Sequence, residues 1–309
     1  MTEHQETTLN QDRTWSGFSE RLNELKVYEQ TVSLCERAIK INPDNHDYWY
    51  NLGTALSKLG RYEKAIASYY KVVEIKPDDH EAWYNLGVTL LDLGRYKKAI
   101  AAYDKALAIR PDDHEAWYNL GVALFSVGRY EKAVTAYDKA LAIKPDDHGS
   151  WYNKGNTLCK LDRQEEAIIS FGRALTIKPD DHQAWYNRGV ILSDLGRYKK
   201  AIISLDRALE IKPDKSEALA IRTAALKSLN KYEKASISYN KVLEIDQKSA
   251  HILYSLACRY AVQNKIGQSL KNLSQAINCA PQYREAAEAD PDFDRIRSDR
   301  RFQDLVSKI

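Results

Sequence analysis

The sequence predicts an all-α solenoid, an array of helical hairpins stacked one on the next. Three observations carry that prediction. All six tryptophans, Trp15, Trp49, Trp83, Trp117, Trp151 and Trp185, stand 34 residues apart, and Leu219, Leu253 and Ala287 continue the register. Prolines keep the same beat at Pro43, Pro77, Pro111, Pro145, Pro179 and Pro213; Gln247 takes the place once and Pro281 restores it. Small residues recur in step, with Gly53, Gly87, Gly121, Gly155 and Gly189 on one helix and Ala65, Ala99, Ala133, Ala167 and Ala201 on the next. A fixed period of this length marks a repeat array.

The unit from His80 to Asp113 shows how each element arises. Trp83, Leu86, Gly87 and Leu90 follow the i, i+3, i+4, i+7 spacing of one helix face. Gly94 ends that helix, because glycine tolerates the left-handed conformation at a C-terminus. Asn230 and Asn264 take the same role in later units. Arg95 and Tyr96 open a second helix, whose packing face is Ala99, Tyr103, Ala106 and Leu107. Arg110 lies in its last turn, where a cation suits the helix dipole. Pro111 stops it, and Asp112 and Asp113 are placed to cap the next helix. Glycine in mid-helix costs about 1 kcal/mol against alanine. Its recurrence therefore predicts a close approach by the second helix, through the small residues Ala99 and its equivalents. Such a hairpin cannot bury its own apolar face, and stacking neighbours solves that problem.

The run Trp83-Tyr-Asn-Leu-Gly87, followed by Gly94, Tyr96, Ala99, Tyr103, Ala106 and Pro111, resembles the tetratricopeptide-repeat pattern. Eight units are read: 12–45, 46–79, 80–113, 114–147, 148–181, 182–215, 216–249 and 250–283. The first departs from the pattern with Ser19 and Thr31, and the last two with Thr223 and Ala257 in the glycine place. The resemblance implies a right-handed superhelix whose first helices line a concave groove. The segment 284–309, with Asp290-Pro291-Asp292-Phe293 and the apolar Phe302, Leu305 and Val306, resembles the C-terminal capping helices of bacterial members. Residues 1–11 are expected to be disordered.

Composition excludes several functions. The chain has 309 residues and a net charge of +3, too small to imply a nucleic-acid partner. No apolar run approaches the ~20 residues of a membrane span, and the polar start lacks the apolar core of a secretory signal. Cys35, Cys159, Cys258 and Cys279 are scattered and read as reduced thiols, which places the protein in the cytoplasm. No nucleophile–base–acid set and no phosphate-binding glycine loop stand out, so neither catalytic residues nor cofactors are expected. His46, His80, His114, His148 and His182 also repeat. Neighbouring helices pack about 8–10 Å apart, too far for equivalent histidines to share a metal at ~2 Å. They are read as solvated residues at helix starts, and no metal site is predicted.

The expected function is a protein-interaction scaffold. On the helix from His80, the residues Glu81, Tyr84, Asn85, Val88, Leu91 and Asp92 lie opposite Trp83, Leu86 and Leu90. The resemblance implies that this second face lines the groove. It repeats as ladders of Tyr50, Tyr84, Tyr118, Tyr152 and Tyr186, and of Asn51, Asn85, Asn119, Asn153 and Asn187. An amide side chain donates and accepts at once, which suits an extended peptide backbone; the competing reading is that these residues bridge adjacent units. Val88, Leu91, Val122 and Phe125 form an apolar centre, and Asn156 lies on the same face. Asp47, Glu81, Glu115 and Glu217 place acid along one edge. The partner is expected to be an extended or helical segment of another protein. Relatives that grip a chaperone's C-terminal carboxylate carry a lysine after the Trp position, where units two to six have tyrosine, so that clamp is absent. Two rivals are assembly by self-association through the solenoid ends and nucleic-acid binding. The groove offers few cations for the latter, Lys58 and Lys160 among them.

Overall fold

The computed structural model describes residues 23–245 and 250–307, without the side chains of 239–245, 251 and 252. The segment expected to be disordered, 1–11, and the start of the first unit lie outside the described residues. The chain forms two compact bodies, to Lys178 and from Pro179. In the first, α1 (23–41) is followed by α2 His46–Lys58, α3 Tyr62–Ile75, α4 His80–Asp92, α5 Tyr96–Ile109, α6 His114–Ser126, α7 Tyr130–Ile143, α8 His148–Lys160 and α9 Gln164–Ile177. In the second come α10 His182–Asp194, α11 Tyr198–Ile211, α12 Ser216–Ser228, α13 Tyr232–Ile245, α14 Ala250–Val262, α15 Ile266–Cys279, α16 Tyr283–Ala289, a 3₁₀ turn Pro291–Phe293 and α17 Arg300–Val306. No strand occurs among the described residues, and within each body α-hairpins pack side by side.

Short-range chemistry sets the helix ends. The carboxylates of Asp79, Asp113 and Asp147 accept from Ala82, Ala116 and Ser150 N–H at 3.0, 3.1 and 2.8 Å. Each first helix then closes on a residue at positive φ. Gly94 (+72°) does so after α4, and Asn230 and Asn264 after α12 and α14. After α8 the place is held by Asp162, at φ 56°; a short polar side chain makes the left-handed region tolerable. The tryptophan register has its own hydrogen bond. The indole Nε1–H of Trp49, Trp83, Trp117 and Trp151 donates to the carbonyl of Pro43, Pro77, Pro111 and Pro145, six residues earlier, at 2.8–2.9 Å. Each indole thus latches a first helix to the turn that precedes it.

The mid-helix glycines answer to one large side chain of the second helix, an aromatic ring in four of the five, rather than to the small alanines. A Cβ on Gly87 would stand 2.6 Å from Tyr103 Cε1, and one on Gly121 2.6 Å from Tyr137 Cε1. Gly53 meets Tyr69 at 2.9 Å and Gly155 meets Phe171 at 2.9 Å in the same way, and Gly189 meets Leu205 at 2.7 Å. Ala65, Ala99 and Ala133 are fully buried, but the larger side chain fills the glycine's missing volume.

One of those rings carries an unsatisfied hydroxyl. Tyr69 Oη pairs with Thr54 Oγ1 at 3.2 Å. The residue equivalent to Thr54 in the next hairpin is Val88, and Tyr103 Oη is buried without a hydrogen-bond partner. Burial holds the Tyr103 phenol well above its ordinary pKa. A buried donor left unpaired costs about 1–3 kcal/mol. Tyr103→Phe is therefore expected to stabilise the protein by about 1 kcal/mol in urea unfolding, whereas Tyr69→Phe, which breaks a bond, should not. Phe171 already holds this place in α9.

In the second body, Phe293, Ile296, Phe302 and Val306 bury themselves with Leu253, Tyr254, Leu273 and Ile277 of α14 and α15. Tyr254 stacks on Tyr283 at 4.6 Å and meets Phe293 edge-on at 5.8 Å. The Asp290 carboxylate accepts from Tyr254 Oη–H at 3.0 Å, from Cys258 Sγ–H at 3.5 Å and from Asp292 N–H at 3.0 Å. Ligating atoms of Cys258, Asp290 and Asp292 lie within 4.8 Å of one another, a proximity that the scattered cysteines did not foretell. Asp290 is taken up by those three donors, and the two from α14, Tyr254 and Cys258, tie the segment after α16 to that helix.

Candidate binding face of the first helices

In the first body the candidate face is carried by α2, α4, α6 and α8. Each begins at an Asn or Asp cap, so the tyrosine and asparagine that follow the tryptophan emerge at the same height in every hairpin. The two ladders meet each other. Asn85 Nδ2–H donates to Tyr50 Oη at 2.8 Å, Asn119 to Tyr84 Oη at 3.2 Å and Asn153 to Tyr118 Oη at 2.9 Å. Tyr50 in turn donates to Glu81 Oε2 at 3.2 Å, and Tyr84 to Glu115 Oε2 at 3.1 Å. A rung therefore runs from an asparagine through the preceding hairpin's tyrosine and back to a glutamate on the asparagine's own helix. Of the two readings open in the sequence, bridging accounts for these amide donors. Among the described residues nothing donates to Oδ1 of Asn85, Asn119 or Asn153.

Electrostatics agree with that direction of donation. Burial, then the carboxylate of Glu81, pushes the Tyr50 phenol up to about 12. Burial and Glu115 raise Tyr84 further, and burial raises Tyr118. All three stay protonated at neutral pH, as a donor to a carboxylate must. Glu81 and Glu115 thus serve the rungs, beyond the helix-start charge read from the sequence. At the third rung Gly149 stands where the glutamate would be, and a Cβ there would lie 3.3 Å from Tyr118 Cε2.

Val88, Leu91, Val122 and Phe125 are half-buried, each with one side against the core of the first body. Phe125 leans on Tyr130 with ring centroids 5.5 Å apart. Their remaining surface forms an apolar strip between the rungs. Tyr152 meets Phe171 edge-on at 5.7 Å, Asn51 is exposed and Asn156 is half-buried. Asn187 lies on α10, in the second body, where Tyr186 faces Lys215 Nζ at 4.1 Å.

The histidine ladder differs from its expectation at one place. His80 is 9% exposed, stacks on Tyr84 at 6.4 Å and sets Nε2 3.0 Å from Asp113 Oδ2. It is buried because the next hairpin's capping aspartate closes over it; His46, His114, His148 and His182 are half-buried. The sequence reading also missed the cations that replace a core leucine. Lys154, at the place of Leu86 and Leu120, reaches Asp138 at 2.5 Å, and Arg222 reaches Asp206 and Ser238. The signal lay in their charge at a position where earlier units carry leucine.

Models of the tetratricopeptide repeat match residues 44–112, 84–148, 118–182, 161–226 and 224–249. The solved structure of YrrB, described as a TPR protein with an unusual peptide-binding site, is 26% identical with a TM-score of 0.55, over 60% of this chain and 96% of that one. The structure of MamA is also 26% identical, with a TM-score of 0.52, over 54% of this chain and 97% of that one. The C-terminal part of a TPR repeat-containing protein from Cytophaga hutchinsonii superposes at a TM-score of 0.68 over 77% of this chain and 98% of that one; at 17% identity it bears on the fold alone. No curated protein matches the chain.

Proposed function

Because the chain belongs to the tetratricopeptide-repeat family, we propose that it is a protein-interaction scaffold that holds an extended or helical segment of a partner against α4, α6 and α8. The observation that carries this reading is the row of open Oδ1 acceptors at Asn85, Asn119 and Asn153, alternating with the apolar strip of Leu91 and Phe125. A partner's backbone N–H groups would donate to the amides while its side chains cover the strip. The rungs favour this use: a side chain already held by Tyr Oη loses little rotamer freedom on binding. YrrB, whose description names a peptide-binding site, supports it by likeness. Glu81 and Glu115 would add a salt-sensitive preference for basic residues.

The test is selection of peptides from a displayed random library on the intact protein, followed by amide chemical-shift mapping. Bound peptides should perturb α4, α6 and α8. Phe125→Ala, by removing a central apolar anchor, should weaken them about thirtyfold, the equivalent of ~2 kcal/mol, with the helical signal unchanged. A footprint on α5 and α7, or an affinity that ignores Phe125, would reject the groove.

A further inference from the structure

We propose that a cavity between α12, α13 and α14 is a second binding site, one that takes a carboxylate-bearing segment of a partner protein. The cavity measures about 530 Å³, within the roughly 300–1,000 Å³ of small-ligand sites. It exists because two successive hairpins, α12–α13 and α14–α15, break the repeat at core positions. Ile66, Ile100 and Val134 fill one slot of the second helix and are buried; the same slot in α13 holds Ser236. Ala55, Thr89, Ala123, Thr157, Ile191 and Ala225 fill one slot of the first helix, each at most 7% exposed; the same slot in α14 holds Arg259. The asparagine slot holds Ser255, and the tyrosine that would bond it is Ala220, so no rung crosses the space.

Those replacements do nothing for packing. An aliphatic side chain exchanged for serine forfeits burial, and an arginine at a core slot carries a charge that needs a partner. The lining also includes Lys227, at the place of Leu91 and Phe125. Among the described residues neither Lys227 nor Arg259 is in an ion pair. Two cations against the single carboxylate of Asp292 leave the cavity net positive. Guanidinium binds a carboxylate through two parallel N–H donors. Ser236 and Ser255 supply hydroxyls beside it, and Ala235 and Val262 an apolar wall. The fitting ligand is an acidic side chain followed by an aliphatic one. This inference stands apart from the groove on α4, α6 and α8, and either can fail alone.

The probe is a blocked octapeptide alternating leucine and glutamate, with its leucine–lysine counterpart as control, titrated into the full chain and followed by amide shifts and fluorescence polarisation. The glutamate peptide should bind and shift amides of α12–α14, and Lys227→Glu with Arg259→Glu should weaken it at least about tenfold. Ser236→Ile, which restores the residue of the other hairpins, should fill the cavity, raise Tm and abolish binding. Because that variant is more stable, its loss of binding cannot be put down to unfolding. Equal binding of both peptides, a footprint confined to α4–α8, or full affinity in Ser236→Ile would each overturn the proposal.

Discussion

Gly121→Ala is expected to destabilise the protein by about 1–3 kcal/mol, the usual cost of overpacking a core, although alanine is the better helix former by about 1 kcal/mol. The added Cβ would stand 2.6 Å from Tyr137 Cε1. Tyr137 is 1% exposed and its ring lies 6.1 Å, centroid to centroid, from that of Tyr118 on α6, so it has little room to give way. Tyr137→Ala should cost about 3–5 kcal/mol by leaving a cavity. The double variant is decisive. With the ring gone, the methyl group meets empty space and recovers part of the loss, so the double should cost less than the sum by at least about 1 kcal/mol. Gly53→Ala, whose Cβ would stand 2.9 Å from Tyr69, a milder clash, should cost less than Gly121→Ala. Chemical unfolding of the four variants measures all of this. Additive losses would mean that the glycine answers to something other than the ring.

The second large effect is expected at the other end of the chain. Phe302 is 1% exposed and packs on Phe293 with ring centroids 5.3 Å apart, and Phe293 is fully buried against Tyr254. Phe302→Ala should remove about 3–5 kcal/mol. Repeat arrays are held by nearest-neighbour interfaces, so the loss should stay local. Hydrogen exchange should quicken in α14, α15 and α17 and stay unchanged in α4–α7. Exchange that rises evenly along the chain would show one cooperative unit; exchange that does not rise would show that the C-terminal helices contribute no cover.

These expectations separate what was legible in the residues from what was not. The 34-residue period, the positions of the helices and their ends followed from rules that act over a few residues: apolar spacing, an aspartate cap, a positive φ at Gly94 or Asn230, a proline stop. The candidate face was legible in the same way, as the set of residues opposite Trp83 and Leu86. Partners farther along the chain were not. Tyr103 lies 16 residues after the glycine it excludes, and Asn85 bonds a tyrosine 35 residues before it. Which atoms meet over such separations depends on how one hairpin nests against the next, a matter of ridge height and side-chain volume that no local pattern encodes. So the sequence by itself determined a stack of helical hairpins and the residues each one presents. Only the tertiary structure decided that Tyr103 claims the space at Gly87, that the asparagines spend a donor on the neighbouring tyrosine, and that Ser236 and Arg259 open a cavity where other hairpins are packed.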